Sequence, residues 1–193
     1  MFRHNTDRLR FTAFTVFTIL MLGVIGLIFL PRRVAADEPA PRRSIANYEI
    51  KFMEDMIDHH AMAVEMAELC VEKAIHEELR SMCQEIIAQQ SQEIETMQTW
   101  LEDWYGVSYE PEMTPGKMQQ MERLAALDGE EFEITFMEEM IRHHETAIRE
   151  AERCVERAYH EDLVNLCENI IETQSAEIAQ MEAWLCEWYG ICD

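Results

Sequence analysis

The chain has 193 residues and a formal charge of −22 at pH 7, and this length can hold one domain with a buried core. From Ser44 onward, nine Lys and Arg stand against 35 Asp and Glu, a formal charge of −26. A domain with this negative charge repels phosphate backbones, and we therefore expect no nucleic-acid partner. Acidity attracts cations without specificity and does not by itself predict a metal site.

The N-terminal residues predict a membrane segment. Residues 11–30 carry no charged side chain and follow a basic segment at residues 1–10. A helix of about 20 apolar residues spans roughly 30 Å of hydrocarbon. We therefore predict a transmembrane anchor, with a long signal peptide cleaved after Ala36, which would give a secreted protein, as the alternative. Residues 31–46 include Pro39 and Pro41 and predict an extended tether.

The first two long helices form a predicted hairpin. Apolar residues at i, i+3 and i+4 spacing predict a helix from Ser44 to about Ala74. The pattern breaks near Ile75, and acidic residues from Glu77 onward favour the start of a second helix. That helix ends at Gly106, a residue type that suits the position after a helix C-terminus.

A short helix and a second hairpin follow. Thr114 as N-cap and Pro115 at the first helical position predict a helix to about Leu127. Asp128 opens an acidic variant of a capping box, which predicts a third long helix. The second hairpin ends at Gly190. No segment alternates as a strand would, so we predict an all-α four-helix bundle at residues 47–193, built from two tandem helical hairpins.

The two hairpins repeat one sequence. Residues 47–106 return as residues 130–190 at an offset of 84, and the segment FMEDMIDHH at 52–60 becomes FMEEMIRHH at 136–144. The identities include apolar positions, two adjacent histidines, methionines, two cysteines, a Gln and a Glu. Such a repeat preserves both a packing pattern and a set of metal-ligand side chains.

The six cysteines predict three disulfides, with free buried thiols as the alternative. The predicted pairs are Cys70–Cys83, Cys154–Cys167 and Cys186–Cys192. The first two flank the hairpin turns at identical spacing, behind an export segment. Disulfides imply an oxidising compartment, so we expect the bundle on the extracytoplasmic side, periplasmic or outer.

The cysteine pairs also set a register within each hairpin. If paired cysteines lie face to face, the following residues oppose one another: His60 and Glu93, Met56 and Met97, His144 and Glu177, Met140 and Met181. Met53 and Met137 then lie near Trp100 and Trp184. We expect both disulfides at the end of the bundle away from the first Met/His cluster, with that cluster at the membrane-proximal end.

The Met/His clusters are candidate metal ligands. In Met-x-x-His-His, the thioether and the second imidazole share one helix face. This soft set suits Cu(I) or Ag(I) better than Mg²⁺ or Ca²⁺, and the cysteines that zinc would favour lie elsewhere. A plain His–Glu hydrogen bond is the alternative. The candidate ligands are Met53, Met56, His59, His60, Glu93, Met97, Met137, Met140, His143, His144, Glu177 and Met181.

No pattern predicts catalysis. A di-iron carboxylate site needs Glu-x-x-His on two helices, and this motif is absent from the bundle sequence. The chain also lacks a Ser/His/Asp arrangement, a phosphate-binding loop and a nucleotide fingerprint. We therefore expect a protein that is not an enzyme.

The repeated motif Phe-Met-x-x-Met-Ile-x-His-His-x-x-Ala, followed by Gln-x-x-Glu-Ile-x-x-Met-x-x-Trp-Leu, resembles the domain-of-unknown-function 305 family. This ferritin-like helical bundle family includes CopM-type copper-binding proteins. The resemblance covers about residues 48–190 and implies an exported or membrane-anchored bundle with copper, as Cu(I), for a ligand. A membrane metal transporter or another extracytoplasmic protein would be a partner. The alternative is a disulfide-stapled structural or protein-interaction bundle without metal.

Overall fold

The computed structural model describes residues 38–192, which form five helices and no strand. These are α1 (Arg43–Lys73), α2 (Glu77–Tyr105), α3 (Pro115–Ala125), α4 (Gly129–Arg157) and α5 (Glu161–Tyr189). The all-α prediction is confirmed. Because α1 begins at Arg43, the last four positions of the predicted tether are helical.

No helix within residues 38–192 is both long enough and apolar enough to cross a membrane. The predicted anchor at residues 11–30 and the alternative cleavage position after Ala36 lie outside the described residues.

Most helix ends follow the expected local chemistry. Gly106 and Gly190 end α2 and α5 in the left-handed region, at φ 63° and 68°, which a residue without Cβ adopts at little cost. The Thr114 hydroxyl accepts from Lys117 N at 3.3 Å and caps α3. The predicted capping role of Asp128 is wrong: its side chain makes no cap hydrogen bond and instead accepts from Lys73 Nζ at 2.7 Å.

The two hairpins pack antiparallel to each other. α1 packs against α2, α4 against α5, and α1 against α4. One hydrophobic cluster joins Phe52 and Trp104 of hairpin one to the disulfide at Cys154 in hairpin two. The other joins Cys70 to Phe136. The expectation that both disulfides lie away from the first Met/His cluster is therefore wrong, because each end of the bundle carries one hairpin turn and one pair of helix termini.

A buried carboxylate of α4 holds the turn of hairpin one through hydrogen bonds. Glu133 accepts from the backbone N–H groups of Ile75 and His76 at 2.6 and 2.8 Å, from His76 Nδ1 at 2.7 Å and from the Tyr189 hydroxyl. These amides precede α2, where a negative charge is favoured by the helix dipole. Glu133 therefore supplies the N-terminal cap that the sequence of the turn itself lacks.

Glu49 of α1 does the same for the turn of hairpin two. It accepts from Tyr159 N at 2.6 Å, His160 N at 3.0 Å, His160 Nδ1 at 2.7 Å and the Tyr105 hydroxyl. The His160 ring stacks on Trp104, with ring centroids 3.8 Å apart. Glu49 and Glu133 are separated by the 84-residue offset, so each hairpin clamps the turn of the other.

Three disulfides are present, Cys70–Cys83, Cys154–Cys167 and Cys186–Cys192. The first two close the turns of the two hairpins, and the third ties the end of α5 to the segment after Gly190. Disulfides of this kind are typical of proteins that fold outside the reducing cytoplasm.

Candidate metal centre

The register within each hairpin brings an imidazole to a carboxylate. His60 Nε2 lies 2.6 Å from Glu93 Oε2, and His144 Nε2 lies 2.7 Å from Glu177 Oε2. Both imidazoles are fully buried. The second contact is off the hydrogen-bond direction, since His144 Nε2 is left without a hydrogen-bond partner. The two pairs therefore have the same distance but unequal geometry.

The two repeats meet at their histidines. The rings of His59 and His143 lie 3.6 Å apart between centroids, where α1 and α4 cross near their midpoints. The rings of His60 and His144 lie 6.4 and 6.2 Å from those of their sequence neighbours. We call these four side chains the histidine centre.

The nitrogens of the histidine centre are largely unpartnered. Buried side-chain nitrogens without a hydrogen bond are His59 Nδ1, His60 Nδ1, both nitrogens of His143 and both nitrogens of His144. Buried polar atoms normally have a partner, so each such atom calls for a ligand, an ion or a water. Six of the eight imidazole nitrogens of the histidine centre therefore lack a hydrogen-bond partner.

The His60–Glu93 hydrogen bond selects a tautomer. A carboxylate can only accept, so His60 donates from Nε2 and carries its lone pair on Nδ1. That Nδ1 is buried and unpartnered. A carboxylate on one nitrogen and a metal on the other is the usual arrangement of metal-binding histidines. The hydrogen bond to Glu93 thus orients the His60 ring.

The stacked histidines are held neutral. Burial lowers the pKa of His59 to about 3, assisted by the neighbouring charges of His60, His144 and Lys117. Burial likewise holds the pKa of His143 well below its ordinary value. Neutral imidazole is the form that binds a metal, so no proton competes for these nitrogens near neutral pH.

Thioethers surround the centre on both sides. The methionines that the sequence singles out are all buried, with exposed fractions of 2% or less: Met53, Met56, Met97, Met137, Met140 and Met181. The first three belong to one hydrophobic cluster and the last three to the other. Each cluster thus holds three of the predicted methionines, and the second cluster also holds Met62 and Met66.

The donor set fits a soft ion better than a hard one. Within residues 38–192, no three His, Cys, Asp or Glu side chains form a group that could hold a metal. A site built on these residues would combine imidazole with thioether, and this combination suits Cu(I) and Ag(I). The cysteines that zinc would recruit are all in disulfides.

The carboxylates of the two His–Glu pairs differ in their other hydrogen bonds and in their exposure to solvent. Glu93 Oε1 also accepts from Gln89 Nε2 at 3.1 Å and from Asn169 Nδ2 at 3.4 Å. The Glu177 side chain is 16% exposed, against 7% for Glu93. The Glu177 pair is therefore less constrained than the Glu93 pair, although the motif that carries both is repeated.

Further polar residues lie near the centre. Gln90 and Gln174 are buried with Oε1 unpartnered, and they occupy corresponding positions in the two repeats. This Gln is among the residues that the repeat preserves, so the sequence already indicated it. Lys117 of α3 donates to the Asp58 carbonyl at 2.8 Å, next to His59. Sequence reasoning missed Lys117, because its position depends on the path of the loop.

The chain is similar to one protein family and to several solved structures. A family model described as "Domain of unknown function (DUF305)" matches residues 49–185. No curated protein sequence matches the chain. Among solved structures, CopM in the Cu(I)-bound form is 33% identical, with a TM-score of 0.67, over 74% of this chain and 98% of that one.

Two further structures extend the comparison. CopM in an Ag-bound form is 33% identical, with a TM-score of 0.66, over 74% of this chain and 97% of its own. A DUF305 protein from Streptomyces coelicolor, described as secreted, is 29% identical, with a TM-score of 0.62, over 70% of this chain and 89% of its own.

Proposed function

The chain belongs to the DUF305 family, and from this premise we propose that it is an exported, membrane-anchored protein that binds copper as Cu(I), and also Ag(I), through its Met/His clusters. His60 and His144 are the primary imidazoles, with Met56, Met97 and Met140 among the thioethers. His59 and His143 complete the centre, and Met53, Met137 and Met181 extend the sulfur set. Glu93 and Glu177 orient the imidazoles.

The observation that carries this proposal is the set of unpartnered nitrogens in the histidine centre, flanked by buried sulfurs. Burying six imidazole nitrogens without hydrogen-bond partners opposes folding. A bound soft cation would satisfy nitrogens that the protein leaves free. CopM, which is 33% identical, was solved with Cu(I), Cu(II) and Ag bound, which supports copper as the ion.

The role that fits this site is handling rather than catalysis. Most of the residues around a bound ion would be apolar, and we expect no reaction at it. A membrane metal transporter or another extracytoplasmic protein would supply or accept the ion. An export location agrees with the three disulfides and with a relative described as secreted.

A structural role without metal is the competing candidate. The reciprocal carboxylate clamps and the disulfides stabilise the bundle by themselves. In that case ordered waters, rather than an ion, would partner the orphaned nitrogens.

A Cu(I) competition titration separates the two candidates. The full-length protein is titrated against a chromogenic Cu(I) chelator, with ascorbate as a reductant that leaves the disulfides intact. We expect the protein to take Cu(I) from the chelator, with Ag(I) displacing it and Zn²⁺ failing to. If the protein withdraws no Cu(I), the structural candidate is correct.

A further inference from the structure

One side of the histidine centre opens to solvent. A pocket of about 420 Å³ lies between α1 and α4, within the size range of small-ligand sites. We call it the Met56 pocket. The residues that define it here are Tyr48, Phe52, Met56 and His59 of α1, with Thr146 and Glu150 of α4.

Two of the pocket's side chains carry unpartnered polar atoms. Tyr48 Oη and His59 Nδ1 are buried and make no hydrogen bond. His143 differs from His59, because both of its nitrogens are buried without a partner. His59 lines the pocket, and its Nε2 is not among the buried, unpartnered nitrogens.

The corresponding space on the other side of the centre is filled. Phe132, Phe136 and Met140 stand at the positions that Tyr48, Phe52 and Met56 occupy in repeat one, and each is completely buried. The positions of Thr146 and Glu150 are held in repeat one by Met62 and Met66, with exposed fractions of 5% and 0%. The Glu150 side chain, by contrast, is 45% exposed.

Helix α3 explains the rest of the difference. Leu124 is 1% exposed and belongs to the same hydrophobic cluster as Met62, Met66 and Met140. The segment that joins the two hairpins thus covers one half of the groove between α1 and α4. The other half, over Met56, has no corresponding helix within the described residues.

We propose that the Met56 pocket is the route by which Cu(I) enters and leaves the histidine centre, with Met56 and His59 as the first ligands it meets. This route deepens the proposed function and rests on it. The repeat supplies two similar ligand sets, but only one is open, because Thr146 and Glu150 replace two bulky methionines. Asp55 and Glu150 also line the pocket, together with Lys51; Asp55 is paired with Lys51 and Glu150 with Arg153.

A test that needs no metal examines access to the histidines. The metal-free full-length protein is treated with diethyl pyrocarbonate, which acylates accessible imidazole nitrogens, and the sites are followed by peptide mass spectrometry. We expect His59 to react at least about tenfold faster than His143, a difference of ~1.4 kcal/mol in barrier. His76, whose side chain is 35% exposed, serves as the internal reference.

Filling the pocket should protect His59. The double variant Thr146→Leu/Glu150→Leu adds apolar bulk without new ligands, and Glu150→Gln removes the same charge while leaving the opening. We expect the double variant to slow the reaction of His59 at least about tenfold, with His76 unchanged, and the control to react like the unmodified protein. Equal reactivity of His59 in the filled variant, or of His143 and His59 in the unmodified protein, would overturn the route.

Metal exchange provides the second measurement. Loaded with Cu(I), the filled variant should release it to a chelator at least about tenfold more slowly, with an unchanged dissociation constant. An unchanged release rate contradicts the route while leaving the proposed function intact. If the unmodified protein binds no Cu(I), the proposed function fails, and the route fails with it.

Discussion

His60 and His144 combine burial with unpartnered nitrogens, and both features destabilise the fold unless a partner binds those nitrogens. Each imidazole is fully buried beside a carboxylate, and each leaves at least one nitrogen unpartnered. The hydrogen bond to Glu93 directs the lone pair of His60 away from the carboxylate. A soft ion beside that lone pair would complete the set, which makes these two residues the decisive ones for affinity.

Replacing the two buried imidazoles should therefore abolish tight Cu(I) binding. Gln at positions 60 and 144 can still donate to the carboxylates but offers no comparable soft ligand. We expect His60→Gln/His144→Gln to lower Cu(I) affinity at least about 100-fold, or ~2.7 kcal/mol, in the chelator competition. The matched pair Met62→Leu/Met66→Leu, whose methionines are not repeated, should cost less than about threefold. Equal losses in the two variants would refute this ligand assignment.

Glu133 should give the bundle a measurable acid sensitivity. Burial alone would raise its pKa, but hydrogen bonds from Tyr189, His76 and Ile75 lower it below the ordinary value of 4.5. A lowered carboxylate pKa stabilises the fold above pH 4.5 and loses that contribution as the pH falls through the lowered value.

We expect Glu133→Gln to reduce the free energy of unfolding at pH 7 by about 2–3 kcal/mol, measured by urea denaturation. The deficit should shrink as the pH falls below 4.5 and through the lowered pKa, because the unmodified Glu133 then becomes protonated. Glu130→Gln, an exposed neighbour, should have little effect at either pH. A deficit that stays constant down to pH 2 would mean that the charge of Glu133 is not what matters.

At the scale of single residues, sequence patterns identify side chains that act within one hairpin. The opposition of His60 and Glu93 follows from helix periodicity and from the cysteine pairs. The clamp residues Glu49 and Glu133 were missed because their partners are 110 and 57 positions away, in the other hairpin. A Glu repeated within an apolar stripe was the one available signal.

At the scale of helices, local chemistry predicts most boundaries. The turn near Ile75, the cap at Thr114 and the end of α2 at Gly106 follow the expected positions closely. Local chemistry does not predict the antiparallel arrangement of the two hairpins. It depends on how two similar apolar stripes meet, and each stripe alone is compatible with either direction.

The two turn-closing disulfides should contribute equally, because each joins cysteines 13 positions apart. In the chain-entropy model each contributes about 3 kcal/mol. Cys70→Ser/Cys83→Ser and Cys154→Ser/Cys167→Ser should each lower the free energy of unfolding by that amount in guanidinium denaturation.

The third disulfide is the internal comparison for this prediction. Cys186 and Cys192 are six positions apart and both exposed, so replacing them with Ser should cost about 2 kcal/mol or less. If this exposed pair proves the most costly to remove, loop closure is not what the disulfides contribute.

At the scale of the whole molecule, the bundle presents one ligand set from each repeat and joins them where α1 and α4 cross. The histidine centre lies near the middle of both helices, with a disulfide-closed turn at each end of the bundle. The idea that the Met/His cluster lies at a membrane-proximal end therefore loses its structural basis. The symmetry of the repeat is broken by α3, which covers one half of the groove.

Export with a retained anchor remains a prediction about residues 11–30. We expect the protein from a membrane fraction to carry its intact N-terminal region, because residues 31–33 place Pro-Arg-Arg where a cleavable signal usually has a neutral spacer. Mass spectrometry of the N-terminal peptide is the measurement. A mature chain beginning at Asp37 would identify a cleaved signal peptide and a secreted protein.

The central claim is that the chain binds Cu(I) with imidazole and thioether together. Copper K-edge X-ray absorption of the Cu(I)-loaded full-length protein measures this most directly, because nitrogen and sulfur neighbours of the ion give distinct scattering. The account predicts a first shell of both nitrogen and sulfur, with the nitrogen contribution reduced in His60→Gln/His144→Gln. A shell of oxygen and nitrogen alone, unchanged in that variant, would contradict it.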